Sequence, residues 1–307
     1  MDDARLIALD WGSTHLRAWR LGPQGRVLDR RQAAAGVLAV PDGRFEAALL
    51  ALCGDWLDDD ERGRLPLIAS GMIGSRQGWA EAPYLGCPAA PAAAAAALER
   101  VPLAGGRVLH IVPGLITTGP DGQADVMRGE ETQLWGAGLA AGACCVLPGT
   151  HSKWAWMGER DAVDSFQTYM TGELFAVLSQ HSILGRLMQA GPPRPDAFAD
   201  GARLGLAEHA HLSHLIFAAR TAGLTGEREG AALADFLSGL LIGAEVGSAC
   251  ARGAPAAVGL LGDDALVQRY AVALDLAGRR GLPLPAAEAT SRGQWRVAAT
   301  AGLVEEL

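Results

Sequence analysis

The 307-residue chain contains no Gly-Lys-Ser/Thr and no Gly-x-Gly-x-x-Gly. Nucleotide binding by a P-loop or by the Rossmann fingerprint is therefore disfavoured. Cysteine is scarce: Cys53, Cys87, Cys144, Cys145 and Cys250 make an odd count with no Cys-x-x-Cys spacing. That usage argues against a disulfide framework and fits reduced thiols in a cytoplasmic protein, with the vicinal pair packed rather than redox-active. Basic residues are outnumbered, 26 Lys and Arg against 34 Asp and Glu, for a net charge of −8. Nucleic acid and anionic membrane are not expected as partners, although a few clustered cations suffice to bind an anionic small molecule. No apolar run approaches membrane-spanning length; Phe236–Ala244 is the best, and Glu245 soon interrupts it. The first residues lack the basic, apolar and small-residue succession of a secretory leader.

What is present is mostly apolar. Half of the residues are hydrophobic and the mean hydropathy is +0.15, so a well-buried protein of two domains is expected at this length. Its organising stretch is Leu6–Leu21, LIALDWGSTHLRAWRL. An apolar strand ends in Asp10, a short loop carries Gly12, Ser13 and Thr14, and alternation then resumes through Leu16, Arg17, Ala18 and Trp19. A glycine there lets the backbone approach a ligand, and the neighbouring N–H groups and hydroxyls suit phosphate oxygens. A carboxylate at the strand end suits a metal ion held through water. An ordinary β-hairpin fits this stretch equally well.

The segment Cys144–Gly158, CCVLPGTHSKWAWMG, repeats the same logic with Gly149, Thr150 and His151 in the loop, 137 residues after Gly12. This echo predicts a duplicated architecture with ligand phosphates between its halves; two unrelated glycine turns are the alternative. Between the two stretches the spacing predicts a third strand at Arg26–Leu28, a helix over Phe45–Leu57 and a strand over Leu65–Ala69. The aperiodic Arg76–Gly86 follows, a loop of the kind that lines ligand sites. A helix opening at Pro91, a strand at Val108–Val112 and a loop through Gly122 lead to a helix over Asp125–Ala137, with Asp125 as its N-cap. The second half reads as helices over Thr171–Leu187, Leu212–Arg220, Ala231–Ala249 and Leu266–Ala277, with a strand at Val258–Leu261 ending in Gly262. Gly239, Gly243 and Gly247 recur every fourth residue, a stripe for close helix packing or for a flat ring. His209, His211 and His214 share no helix face and read as a solvated helix start rather than a metal site.

With these features in place, the chain resembles the sugar kinase/Hsp70/actin superfamily. The phrases GMIGSRQGW, DVMRGEETQLWGA, LPGTHSKW, TYMTGELFAVL and SGLLIGAE resemble, in order, the 2-dehydro-3-deoxygalactonokinase family. The resemblance implies an α/β, two-domain actin-like ATPase (ribonuclease H-like) fold, with duplicated mixed β-sheets flanked by helices and the active site in the interdomain cleft. Residues 1–140 would form the first lobe and 141–307 the second, with a C-terminal helix free to return to the first. It implies ATP and Mg²⁺ as cofactors and phosphorylation of the 6-hydroxyl of 2-dehydro-3-deoxy-D-galactonate, a step of galactonate catabolism. Another sugar or sugar-acid kinase, or a polyphosphate phosphatase, is the alternative on this scaffold. A homodimer is left open.

By the same resemblance, Asp10 would hold Mg²⁺ through water. Gly12, Ser13 and Thr14 would contact the β/γ-phosphates, with Arg17 adding charge. Gly149, Thr150 and His151 would clasp the triphosphate from the other lobe, with Lys153 in reach. Asp125 is the expected general base, with Glu130 or Glu131 as its competitors. Arg76 would pair with the sugar acid's carboxylate, and Trp79, Tyr84, Thr171 and Glu173 would wall the sugar site. Gly243 and Gly262 would touch adenosine. One departure stands out: the superfamily's second loop often begins with Asp, whereas this chain has Leu147-Pro148, leaving Asp10 as the lone metal carboxylate.

Overall fold

The computed structural model describes residues 3–58, 65–119 and 121–305. In chain order the first part carries β1 (Leu6–Trp11), β2 (Leu16–Leu21), β3 (Val27–Ala33), α1 (Phe45–Asp58), β4 (Leu67–Ser70), β5 (Tyr84–Gly86) and α2 (Pro91–Ala96). There follow β6 (Glu99–Pro102), β7 (Val108–Ile111), β8 (Gly114–Thr118), β9 (Ala124–Met127) and α3 (Glu130–Gly136). The later part carries β10 (Cys144–Leu147), β11 (Ser152–Met157), β12 (Val163–Tyr169), α4 (Thr171–His181), α5 (Pro195–Ala207), α6 (Leu212–Leu215) and α7 (Ala218–Leu224). It ends with α8 (Gly230–Ala251), β13 (Ala257–Leu260), α9 (Asp264–Leu276), β14 (Arg280–Pro283) and α10 (Ala289–Thr300).

These elements form two compact units. The first comprises Met1–Gly142, Trp156–Phe166 and Pro285–Leu307; the second comprises Ala143–Ala155 and Gln167–Leu284. The first unit is built on a six-stranded sheet of order β3-β2-β1-β4-β7-β6. Its opening three strands pair antiparallel as a meander, and β4 then lies parallel to β1. Leu6, Ile7, Ala8, Leu9 and Trp11 are all fully buried, because β1 is central and covered on both faces. Trp11, Phe45 and Trp79 pack edge-on and stacked, with ring centroids 5.8–6.3 Å apart. The C-terminal helix α10 belongs to this unit and docks on α3. A Cβ on Gly136 would fall 1.8 Å from the Ala289 carbonyl oxygen, and one on Gly293 the same distance from that of Thr132.

In the five-stranded sheet the order is β12-β11-β10-β13-β14, the meander-then-crossover order of β3-β2-β1-β4-β7. Here β10, β13 and β14 pair in parallel. The core of the second unit is α8, whose residues are buried nearly throughout. It is 22 residues long and, among the described residues, the one helix long and apolar enough to cross a membrane, yet most of it is enclosed by the fold. The helix expected over Ala231–Ala249 covers all but three of these residues, and Asp235 and Glu245 are what break its apolar run.

Most expected elements are present, and four differences have physical causes. The stretch expected as one helix over Asp125–Ala137 is a strand and then a helix. Residues Ala124–Met127 pair with β8, and Gly129, at φ +108°, turns the chain before α3 can begin. The loop expected through Gly122 contains β8. Helix α4 stops at His181 and continues as a tight turn over Ile183–Leu187, and the expected Leu212–Arg220 helix is split between α6 and α7. The prolines at 192, 193 and 195 end one segment and open α5, with Pro195 in its first turn.

Candidate active site

In the first unit the site residues cluster at the carboxyl ends of β1 and β4. Asp10 pairs across the sheet with Arg17 and with Ser70, its register partner on β4. Its carboxylate is largely enclosed and accepts a hydrogen bond from the Arg17 guanidinium at 3.0 Å. Burial pushes the Asp10 carboxyl up; Arg17 opposes this, and the nearby charge of Glu130 adds to it. Gly71 follows β4 at φ +92°, and a Cβ there would lie 3.0 Å from the Trp11 carbonyl oxygen and 3.5 Å from an Asp10 carboxylate oxygen. Gly129 packs on Gly71 in turn, with only 3.2 Å available to a Cβ. The start of α3 is thereby brought to the end of β1.

The loop Gly12-Ser13-Thr14 is held from behind. Backbone N–H groups of Gly36, Val37 and Leu38 donate to the carbonyls of Thr14, Gly12 and Ser13 at 2.9–3.2 Å. A Cβ on Gly12 would meet only the His15 carbonyl oxygen, at 3.7 Å, and its φ is not positive. Nothing inside the chain requires glycine there, which is the condition expected where a ligand approaches the backbone.

Two glutamates stabilise the Gly129 turn. Arg128 N–H donates to Glu130 at 3.1 Å, and Gly129 N–H donates to Glu131 at 2.7 Å. Glu131 is fully buried, and its Oε1 has no hydrogen-bond partner among the described residues. Desolvation, with Glu130 alongside, pushes its carboxyl up to about 8. Below it, Gln294 of α10 donates to the Leu9 carbonyl at 2.6 Å and to Ser70 at 2.8 Å, tying the strand ends together.

Asp125 is not the helix cap expected of it. It lies on β9 opposite Thr117, five residues before α3, and its Oδ1 accepts from the Val126 N–H at 2.8 Å. The helix-start position expected of it is taken by Glu130. Arg76 is exposed, its Nε donating to Glu81 at 3.0 Å. Trp79 is a partly buried member of the aromatic core. Tyr84 is stacked under the Arg128 guanidinium at 4.3 Å, and Arg128 also donates to the Ala82 carbonyl at 2.8 Å. Sequence reasoning missed Arg128, whose only signal was its place inside the quoted phrase DVMRGEETQLWGA.

In the second unit the loop Gly149-Thr150-His151 joins β10 to β11. A Cβ on Gly149 meets nothing within 4 Å and its φ is not positive, so glycine here again lacks an intramolecular cause. The start of α4 closes on the loop. A Cβ on Gly172 would lie 2.4 Å from the Gly149 carbonyl oxygen, Glu173 N–H donates to the Thr150 carbonyl at 3.0 Å, and the Glu173 carboxylate meets the His151 ring. Thr171 and Glu173, expected as walls of the sugar site, lie at this helix start against the loop. The Thr171 hydroxyl is spent on the buried Glu245 carboxylate. Lys153 is buried beneath the loop, its Nζ donating to the His151 carbonyl at 3.2 Å.

Gly149, Thr171 and Gly172 form one edge of a cavity of about 440 Å³, otherwise walled by apolar groups such as Phe175, Leu241 and Ile242 and by the Asp235–Arg269 ion pair. A nucleoside-sized apolar cavity opening at a glycine loop suits a nucleotide base and ribose. Neither Gly243 nor Gly262 lines it. Gly243 is packed on α5, with the Ala202 carbonyl oxygen 2.3 Å from where a Cβ would sit, so the adenosine contact expected of it is replaced by helix–helix packing. Gly262 rests against Pro148 at the base of the loop.

A sheet order used twice, with a glycine loop after the first strand of each copy, defines the actin-like ATPase class to which sugar kinases belong. A xylulose kinase from Lactobacillus acidophilus shares the fold at a TM-score of 0.52, 9% identity, and coverage of 98% of this chain and 90% of that one. The activator of 2-hydroxyisocaproyl-CoA dehydratase from Clostridium difficile shares it at a TM-score of 0.51, 10% identity, and coverage of 97% and 95%. Within that class, residues 10–297 match the family described as 2-keto-3-deoxy-galactonokinase, and the chain belongs to that family. It is 42% identical to the 2-dehydro-3-deoxygalactonokinase of Escherichia coli over 247 residues, 80% of each protein. A Sinorhizobium meliloti crystal structure described in the same terms superposes with a TM-score of 0.85 at 36% identity, covering 96% of this chain and 98% of that one.

Proposed function

We propose that this kinase transfers the γ-phosphoryl group of ATP to the 6-hydroxyl of 2-dehydro-3-deoxy-D-galactonate, giving the 6-phosphate and ADP. The observation that carries the reading is the pair of loop glycines, Gly12 and Gly149, each with open space where a Cβ would be, in a chain of this kinase family. Phosphoryl transfer asks for positioning and charge neutralisation, with one group to take the acceptor's proton.

Glu130 is the base this geometry favours. It lies at the start of α3, near enough to Asp10 for its charge to act there, and Arg128 N–H orients its carboxylate. Its carboxylate would accept the hydroxyl proton as the sugar oxygen bonds to the γ-phosphorus and the bond to the β–γ bridging oxygen breaks. Ser13 and Thr14 with Gly12, and Thr150 and His151 with Gly149, would hold phosphate oxygens through backbone N–H groups and side chains. Arg17 supplies a guanidinium at the first loop, and the cavity beside Gly149 would take the nucleoside. Arg76, and Tyr84 with Arg128 stacked on it, remain the candidates for the sugar acid.

Asp10 fits Mg²⁺. It is partly exposed, with a second carboxylate near, and Mg²⁺ keeps most of its waters and needs only one or two carboxylates beside substrate phosphates. When bound, the ion would neutralise charge on the phosphate oxygens. No group of three or more His, Cys, Asp or Glu is arranged for a metal among the described residues, so a site completed by ATP and water is the form that fits. Burial pushes the thiols of Cys53 and Cys144 up to about 12 and that of Cys87 up to about 11, which suits inert reduced cysteines and a cytoplasmic enzyme.

A coupled assay of ADP release across a panel of aldonates and 2-keto-3-deoxy sugar acids tests the reading. ADP formation that depends on the galacto compound and exceeds that with its gluco epimer is expected. Phosphate release without acceptor would instead indicate a phosphatase.

A further inference from the structure

Helix α8 runs through the middle of its unit as an apolar rod, and Glu245 interrupts it with a fully enclosed carboxylate. Enclosing a carboxylate carries a large desolvation cost, and an apolar side chain of similar size is often neutral or better for stability. The partners of Glu245 explain what it does instead. Trp154 of β11 donates its indole N–H to Oε1 at 2.7 Å, Tyr270 of α9 donates its hydroxyl to Oε2 at 2.6 Å, and Thr171 at the start of α4 donates to the same oxygen. Ser152, the first residue of β11, bonds the Tyr270 hydroxyl at 2.8 Å. All three direct donors are neutral, and the tryptophan N–H can only donate.

Two of the elements gathered here are the two walls of the Gly149–His151 loop. The loop runs directly into β11, and the start of α4 packs on it through Gly172 and the Glu173 N–H. Thr171 and Tyr270 also face the cavity beside Gly149. Glu245 therefore stands behind loop and cavity alike, and one side chain bridges β11 and α4.

We propose that Glu245 is a positioning residue for nucleotide binding, holding the Gly149–His151 loop in its binding conformation through Trp154 and Thr171. The inference rests on the reading of that loop as a phosphate loop. Glutamine at this position keeps the volume and can accept from Trp154, but its amide must donate toward Thr171 and Tyr270, turning both hydroxyls around. Small displacements of a binding loop change kinetics by ten- to a hundred-fold, so the effect is measurable.

The test compares Glu245→Gln, Thr171→Val and their combination in the full-length enzyme. KM for ATP and for the sugar acid are measured separately, alongside Tm and amide hydrogen exchange with and without ATP. With Glu245→Gln, KM for ATP rises about tenfold while KM for the sugar acid stays within about twofold. The Thr150 and Glu173 amides exchange faster even without nucleotide. Thr171→Val acts in the same direction, and the double variant is no worse than Glu245→Gln, because both lie on one path. A lowered Tm with both KM values and loop exchange unchanged would make Glu245 mere core and overturn the proposal, as would equal rises in both KM values or effects that multiply. If Glu245→Gln does not fold, Thr171→Val decides: an unchanged KM for ATP overturns the proposal. ATP that protects the wild-type loop, with Glu245→Gln indistinguishable from wild type, defeats only the role of Glu245. ATP that leaves the wild-type loop unprotected defeats the phosphate-loop reading as well.

Discussion

The two glycine loops are alike in carrying an uncrowded glycine without a positive φ and unlike in what supports them. The first follows a strand that carries Asp10 as its penultimate residue and has two glutamates, Glu130 and Glu131, at the neighbouring helix start. The second follows Leu147-Pro148, and the acid behind it, Glu245, is filled by donors. Glu131 and Glu245 are both fully enclosed, and burial raises both. The Gly129 N–H reaches one Glu131 oxygen and the other has no partner among the described residues, whereas side-chain hydrogen bonds led by Thr171, Tyr270 and Trp154 oppose the rise at Glu245. Burial raises a carboxyl's pKa, and each hydrogen bond donated to the carboxylate lowers it again. The first loop thus stands beside a buried acid with an unfilled oxygen, and the second in front of one whose oxygens are filled.

The largest test of that contrast is Glu130→Gln, which should lower kcat about 10³-fold while leaving ATP binding intact, the loss typical of a removed general base. Asp125→Asn should cost no more than about threefold, and the opposite ranking would restore Asp125 as base. Next comes Asp10→Asn, for which we expect kcat down roughly 10²-fold and half-maximal activity only at about tenfold higher Mg²⁺. A Mg²⁺ titration with the wild-type midpoint would remove the metal from Asp10.

Glu131→Gln addresses stability. The folded carboxyl sits at about 8 and the unfolded one near 4.5, so the folded state holds a proton that the unfolded state releases between those values. Its favourable contribution is complete below about pH 4.5 and is lost as pH rises through 8. The wild-type Tm should decline by roughly 5 °C across that window from this group, and the variant should remove that decline. A variant profile parallel to wild type would mean that Glu131 is ionised throughout.

The smallest effects separate two kinds of glycine. Gly149→Ala and Gly12→Ala should raise KM for ATP about tenfold with Tm nearly unchanged, since each has room for a methyl inside the protein. Gly243→Ala should do the reverse, lowering Tm through its clash with the Ala202 carbonyl while KM for ATP stays at the wild-type value. Matching kinetic defects in all three would erase the distinction between loop and helix glycines.

Much of this was legible beforehand where the information is local. The alternation of Leu16–Leu21 and the apolar run into Asp10 identify the first hairpin, and its echo at Gly149 identifies the second. Asp125 was misread because Asp-x-x-x-Gly-Glu-Glu satisfies helix-cap preferences, while pairing with β8 is a long-range choice that no window reveals. Gly243 was ambiguous for the same reason, as a smooth helix face looks identical whether it meets α5 or a ring. Arg128 and Glu245 had no periodic signature, and a charge inside an apolar run registers only as an interruption.

The sequence by itself determined the strands that flank the two glycine loops, the loops themselves, the family and the class of chemistry, because each depends on residue type and short spacing. Tertiary structure alone decided which acid stands beside Asp10, which glycines touch helices, and which donors saturate a buried glutamate. Those outcomes depend on groups far apart in the chain: Gln294 lies beneath Leu9, and Tyr270 meets Ser152. Burial and hydrogen bonding between distant segments exist only once the chain has closed on itself.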